Sequence, residues 1–482
     1  AYGRVVWTST SANGGSPATV AHATGYSQND AVADTEYGAS GTYLIDFPAV
    51  QYTEDDASPV DLAACTWSAY DGAGEVGGQT STLTAGLLTF QESFTNCGTS
   101  PNYVPTGQLA TRWAYDASGD LVASDDADAI AGDQTHLGCR VGANLYTSCT
   151  AYDSTYGVLP ASTTNALNQT SSVSYAGGGY SGFGQWPTST TDANGQTTTT
   201  TYDTFGRLTS TTLPGETSGD LTTSQAYRVT CPTTGASTPC VEEDSAQRLN
   251  SSTVVTTEHF YDGEGRLVET VTPAPGGQFV VQYTLYDPLS EQVGFQSQPY
   301  FVSSAGYSLP DTTQVGTTTW YDGLGRVGSV TNALSQVTHD YYSVVCGFYD
   351  DAGCYEDTAT VDANDHATAA FTDGFGRTRF SVTYTGNTPP YASYQQTTDS
   401  YDLNGHLTSV VQPDLTHTTS FTYDAAGRET ALSDPDRGHE SSMYDANGNL
   451  TESVDARGSS GTVYAGYDAL NRPVWRNTTN SP

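Results

Sequence analysis

Apolar and polar residues alternate singly along much of this chain. In Phe279-Val280-Val281-Gln282-Tyr283-Thr284-Leu285, the residues Phe279, Val281, Tyr283 and Leu285 share one face. In Phe421-Thr422-Tyr423 the two aromatics share a face and Thr422 points the other way. A period of two predicts antiparallel strands with one buried side. Thr-rich tracts such as Thr197 to Thr201 fit the same reading, because Thr is β-branched and favours sheets. No stretch carries a sustained helical stripe with caps, so the chain reads as nearly all β.

The alternating runs are separated by a recurring string, Tyr-Asp-x-x-Gly-Arg. Four copies are complete: Tyr202, Asp203, Gly206, Arg207; Tyr261, Asp262, Gly265, Arg266; Tyr321, Asp322, Gly325, Arg326; and Tyr423, Asp424, Gly427, Arg428. Asp373, Gly376 and Arg377 keep all but the Tyr. Tyr401, Asp402 and Gly405 are followed by His406, and Tyr444, Asp445 and Gly448 by Asn449. Tyr467, Asp468 and Arg472 enclose Asn471 where Gly is usual. Degenerate copies start at Tyr70, Tyr115, Tyr152 and Tyr286, and a weaker Asp-x-x-Gly-like signature lies between the main copies, as at Asp192 and Asp362.

An Asp at the start of a turn accepts backbone N–H bonds from residues just ahead of it. A Gly near the end supplies positive φ without a Cβ clash, and Asn is its natural replacement. Each copy therefore predicts one β-hairpin. From Asp402 the motif Asp recurs at 424, 445 and 468, a period near 22 residues. The intervals from Asp203 to Asp262 and on to Asp322 read as about three periods each, with signatures lost or insertions gained. A lone hairpin is marginal in water, so the hairpins are expected to stack into a long sheet that coils as its strands twist.

Composition removes several function classes. The net charge is −38 and all 15 basic residues are Arg. Such acidity argues against nucleic acid as a partner. The apolar runs are far shorter than a membrane span, and 33 Tyr, 14 Phe and 6 Trp argue against disorder.

Eight cysteines, Cys65, Cys97, Cys139, Cys149, Cys231, Cys240, Cys346 and Cys354, are read as disulfide candidates, their connectivity open. Disulfides imply an oxidising, extracellular or cell-surface setting. Four sequons, at Asn168, Asn250, Asn449 and Asn477, are N-glycosylation candidates.

No cofactor or metal site is read. His136 and Cys139 form a single pair without a second, and no histidines have H-E-x-x-H spacing. Gly323 to Gly328 matches a dinucleotide-loop pattern but lies inside a hairpin. The acidic stretch Asp116 to Asp133 reads as a solvated loop. No catalytic constellation emerges, and the chain is read as non-enzymatic.

The repeated Tyr-Asp-x-x-Gly-Arg string, with Asp-x-x-Gly between copies, resembles the RHS/YD-repeat family, which includes bacterial Rhs proteins, toxin-complex cocoon subunits and the teneurin barrel. The resemblance is strongest from about Thr191 to Val474. It implies an all-β fold of stacked antiparallel β-hairpins forming a coiled or spiralling sheet, a β-solenoid-like shell. Residues 1–190 are then degenerate repeats with disulfide-stapled insertions, and 191–482 clear repeats continuous with them. In those families the repeat is a container or scaffold.

Tyr2 to Trp7 and Tyr467 to Trp475 match in phase, which leaves an open strand edge at each end. The first expectation is a secreted structural protein that self-associates head to tail into a filament or forms a surface scaffold. The alternatives are a piece of a toxin-encapsulating shell, and an adhesion module binding glycan or protein. Covalent glycans are further expected partners; nucleic acid and a membrane span are not.

Overall fold

The computed structural model describes residues 31–37, 48–55, 62–71, 85–98, 105–155, 157–175, 186–216, 223–229, 241–250, 253–347, 353–388, 391 and 393–481; for 31–63 and Asn250 the backbone alone is described. Among these residues are 35 strands, from Ala31–Tyr37 to Pro473–Asn477, and 33 of them form one sheet. Every pairing is antiparallel, and almost every strand hydrogen-bonds to the strands before and after it in the chain.

The hairpins share a defect that curves the sheet. In each Tyr-Asp hairpin the register slips at the Tyr, as between Thr201 and Tyr202, Thr422 and Tyr423, and Met443 and Tyr444. The Tyr then pairs with the residue after the motif position of Arg: Tyr202 with Leu208, Tyr423 with Glu429, Tyr444 with Leu450. A bulge bends its strand and increases local twist. Repeated at one rim in hairpin after hairpin, it drives the sheet into a coil.

The coil closes on itself. Ala425 N–H donates to the Thr95 carbonyl at 2.9 Å. Ala446 N–H donates to Asp128 Oδ1 (3.0 Å), and Asp128 N–H donates back to Asn447 Oδ1 (3.1 Å). These partners are 318 and 319 residues apart, so one revolution takes about that much chain. At the seam, a short helix, Ala127–Ala131, is capped by Asp126, and Asp133 caps a 3-10 turn, Gln134–His136. The hairpin Cys139–Val141/Asn144–Tyr146 branches off here, outside the main sheet. A cleft of about 640 Å³ lies at the seam between Cys65, Ser93, Thr111, Asp126, Ala426 and Asn447.

The sheet is mostly one layer thick. Strand Thr197–Tyr202 alternates exposed and half-buried residues with none buried. The apolar core is split into small patches, such as Tyr355/Phe371/Phe380/Val382 and Phe260/Val271/Val281. The second patch is the most enclosed because the sheet forks beneath it. Strand Gln278–Tyr286 shares one edge between Val293–Ser297 and Tyr300–Val302. The crossover 303–315 then returns over the face before strand Gly316–Tyr321 rejoins at Val293–Ser297. Tyr307 packs on Phe260 with ring centroids 5.6 Å apart, and Tyr283 hydroxyl donates to the Asp311 carbonyl (2.9 Å).

The two long motif intervals differ from the expectation of three periods. Between Asp203 and Asp262 the described residues form four strands, Leu208–Thr212, Thr223–Arg228, Val241–Asn250 and Thr253–Tyr261, which is two hairpins. Between Asp262 and Asp322 the fork replaces the third unit. Longer strands, such as Val241–Asn250 and Thr253–Tyr261, absorb part of the extra length.

Candidate functional site

The Tyr-Asp-x-x-Gly-Arg string builds a clamp between neighbouring repeats. In the Asp203 copy, Oδ1 accepts from Phe205 N–H (2.8 Å) and Arg207 N–H (3.0 Å), and Oδ2 accepts from Arg207 Nε (2.7 Å). Gly206 takes φ 81°, and Asn471 takes the same region at φ 58° in the last copy. The arrangement recurs at Asp262, Asp322, Asp373, Asp424 and Asp468.

At Asp322 and Asp468 these hydrogen bonds lower the carboxyl pKa. Asp322 is held low, first by the Arg326 backbone N–H and then by its guanidinium. Asp468 falls to about 2, chiefly through the Arg472 guanidinium. His406 replaces Arg with its ring: Nδ1 lies 2.9 Å from Asp402 Oδ2, and the imidazole stacks on Tyr423 at 4.8 Å.

The Arg also reaches forward. Its guanidinium lies over a Tyr of the following strand pair: Arg207 over Tyr227 (4.3 Å), Arg266 over Tyr286 (4.5 Å), Arg326 over Tyr342 (4.2 Å) and Arg428 over Tyr444 (5.0 Å). The Tyr hydroxyl reaches back to the carbonyl of the residue after that Arg: Tyr286 to Leu267, Tyr342 to Val327, Tyr401 to Thr378 and Tyr444 to Glu429. The hydroxyl thus ties its strand to the preceding repeat. Tyr261 departs from this and donates to Glu243 Oε2 (3.1 Å). At the opposite rim, Asn–Gln pairs do the work of Asp–Arg: Asn165 with Gln169 (3.0 Å) and Asn332 with Gln336 (2.9 Å).

Three disulfides are formed, Cys65–Cys97, Cys139–Cys149 and Cys346–Cys354, and no cysteine among the described residues is free. Cys231 and Cys240 lie outside the described residues, as do Tyr2 to Trp7. Of the sequons, Asn168 and Asn477 are exposed, and the side chain of Asn250 is not among those described. Asn449 is half-buried, and its amide donates to Asp445 Oδ2 and Asn471 Oδ1, both at 2.8 Å. The acidic stretch 116–133 is used structurally: Asp116 caps a turn, Asp125 pairs with Arg112, and Asp126 and Asp133 cap the two short helices.

A row of acids on the inner strands went unread in the sequence. Arg228, Glu242, Phe260, Glu269 and Tyr283 stand in register across five strands. Asp244 and Glu258 stand opposite each other beside them. Glu242 and Glu269 are both 1% exposed. Ser308 of the crossover donates its N–H to Glu269 Oε1 (2.9 Å). Burial outweighs that bond and pushes the Glu269 carboxyl up to about 7. The usable signal was acids at positions of buried register, visible only once the strands are aligned.

The histidine–carboxylate pairs His136–Asp126, His366–Asp362, His406–Asp402 and His417–Asp414 all sit in turns or caps. Their chemistry is that of turn closure.

A family model described as RHS Repeat matches residues 180–218, 401–439 and 444–480. No curated protein matches the chain. Solved structures do. The crystal structure of TcdB2-TccC3-Cdc42 aligns at TM-score 0.72 and 13% identity, covering 92% of this chain and 29% of that one. The crystal structure of TcdB2-TccC3 aligns at 0.71 and 15%, covering 92% and 27%. The Tc holotoxin pore of Photorhabdus luminescens aligns at 0.71 and 13%, covering 92% and 28%. The chain thus spans less than a third of the length of these proteins, and at such identity the likeness is one of fold. The chain therefore carries RHS repeats in the three matched stretches, and as a whole it shares the fold of these solved structures.

Proposed function

We propose that this chain is a wall segment of an RHS-type shell, a non-enzymatic structural element that encloses a cargo. The observation that carries the reading is the seam. A one-layer sheet that meets its own turns after some 318 residues has the geometry of a wall around a space, not of a packed core.

The rim supports the same reading. Where the coil closes, the Tyr-Asp turns carry small residues: Ala425 and Ala446 N–H groups bond to the preceding coil. Four of the equivalent turns further back carry Phe205, Leu289, Leu324 and Phe375, each more than 70% exposed. Exposed apolar side chains repeated along one rim suit burial against a further coil. Three disulfides fit an oxidising, extracellular setting.

Electron microscopy of the native material tests the proposal. Closed hollow particles are expected. Regular fibres with an axial repeat of one chain would overturn the shell and restore the head-to-tail filament.

A further inference from the structure

The acidic row holds an unmet charge requirement. Arg228 gives Nη1 to Glu242 Oε1 (2.5 Å) and Nη2 to Asp244 Oδ2 (2.8 Å). The remaining oxygens, Glu242 Oε2 and Asp244 Oδ1, are buried and receive no hydrogen bond. Glu258 faces Asp244 across the ladder, and its Oε2 accepts from Gly306 N–H at 2.6 Å. One carboxylate oxygen from each of Glu242, Asp244 and Glu258 lies within 4.8 Å of the other two.

Ionised carboxylates accept hydrogen bonds and cannot donate them to each other, and a single proton shared by Glu242 and Asp244 leaves Glu258 without a positive partner. Leaving carboxylate oxygens buried and unpaired is costly. A positive charge between them removes the cost. In the fully ionised form that binds metal, three carboxylates against one guanidinium leave two negative charges to neutralise, the charge of a divalent cation. An all-oxygen donor set without His or Cys selects a hard ion. Three side chains on two adjacent strands give an irregular donor set, which suits Ca²⁺ better than the strict octahedron of Mg²⁺.

We propose that Glu242, Asp244 and Glu258 form a Ca²⁺ site, with water completing the coordination. Because Glu258 also holds Gly306, the ion locks the crossover 303–315 onto the strands beneath it. This site is independent of whether the chain forms a shell or a filament.

Equilibrium dialysis of the full chain against radioactive Ca²⁺, with excess Mg²⁺ and physiological salt, tests it. One Ca²⁺ per chain is expected, with a dissociation constant of about 10⁻⁴–10⁻³ M, the range of extracellular modules. Glu258→Gln and Asp244→Asn should each weaken binding by roughly tenfold or more, since both remove a ligand charge. Glu264→Gln, an exposed acid elsewhere, should leave it unchanged. Crystals of the unaltered chain soaked in Tb³⁺ decide the matter even if a variant fails to fold: an anomalous peak among the three carboxylates is expected. Absence of Ca²⁺ binding, binding in either variant as tight as in the unaltered chain, or a lanthanide peak elsewhere would overturn the proposal.

Discussion

Arg428 lies with its guanidinium 5.0 Å from the ring centre of Tyr444, and its Nη1 donates to the carbonyl of Asp445 at 2.8 Å. The arginine of one turn thereby grips the ring and backbone of the next. The same side chain closes its own turn through Asp424. A single residue type thus couples hairpin closure to hairpin stacking, which is what a one-dimensional array needs where its core is thin.

Arg428→Lys should destabilise the array although charge is kept. Lys has no planar fork to span Asp424, Tyr444 and the Asp445 carbonyl at once. A loss of about 1–2 kcal/mol is expected in urea unfolding, from one stacked cation and its charge-assisted bonds. Tyr444→Phe removes only the bond to the Glu429 carbonyl and should cost about 1 kcal/mol. A double-mutant cycle of Arg428→Lys with Tyr444→Ala, which removes the ring itself, should return a clear coupling energy, and additive effects would contradict the clamp.

Acid should weaken the repeats over a defined window. The motif carboxyls of Asp262, Asp322, Asp373 and Asp468 have folded pKa values below the ordinary one. Their contribution is full above the unfolded pKa of about 4 and is lost as pH falls through the folded values. For Asp468 that folded value is about 2. Melting temperature should therefore drop between about pH 4 and pH 2. A flat profile there would argue against the Asp–Arg turns.

Glu269 carries the opposite sign. Burial under the crossover raises its carboxyl to about 7. The folded chain then holds a proton that the unfolded chain releases near pH 4, so stability falls as pH rises from about 4 to 7 and levels off above. Glu269→Gln should stabilise the chain at pH 8, by on the order of 2 kcal/mol, and make little difference at pH 4. Hydrogen exchange at Ser308, whose N–H bonds to Glu269, reads the effect locally.

The Cys65–Cys97 disulfide closes 32 residues beside the seam. Trp67 and Phe94 meet edge-on at 4.9 Å, and Trp67 and Ala425 pack against the disulfide cluster. Cys65→Ser with Cys97→Ser should cost about 3–4 kcal/mol by the loop-entropy estimate. The loss should appear first as faster exchange at Ala425 N–H, which bonds to Thr95.

The hairpins were legible in the sequence because their cause is local. Asp203 and Gly206 dictate a turn whatever surrounds them, and the alternation beside them dictates a strand. Asn471 in the Gly position was legible for the same reason. The grip of Arg428 on Tyr444 was not, because it depends on which strand pairs with which, although the recurring order of Arg then Tyr was in view. The seam was opaque for a stronger reason. Asn447 and Asp128 are 319 residues apart, and only accumulated twist brings them together. Glu269 looked like one acid among 53 until the crossover covered it.

The closure of the coil is the claim on which the rest stands, and a distance tests it most directly. Spin labels at Gln134→Cys and Leu450→Cys, on the two sides of the seam, would be read by pulsed electron resonance. Closure requires a sharp distance of a few nanometres at most. An open sheet of the intervening strands, at about 4.8 Å each, would hold the labels more than about 100 Å apart and show no dipolar coupling. A sharp short distance is the result expected; its absence in the folded chain would contradict the spiral.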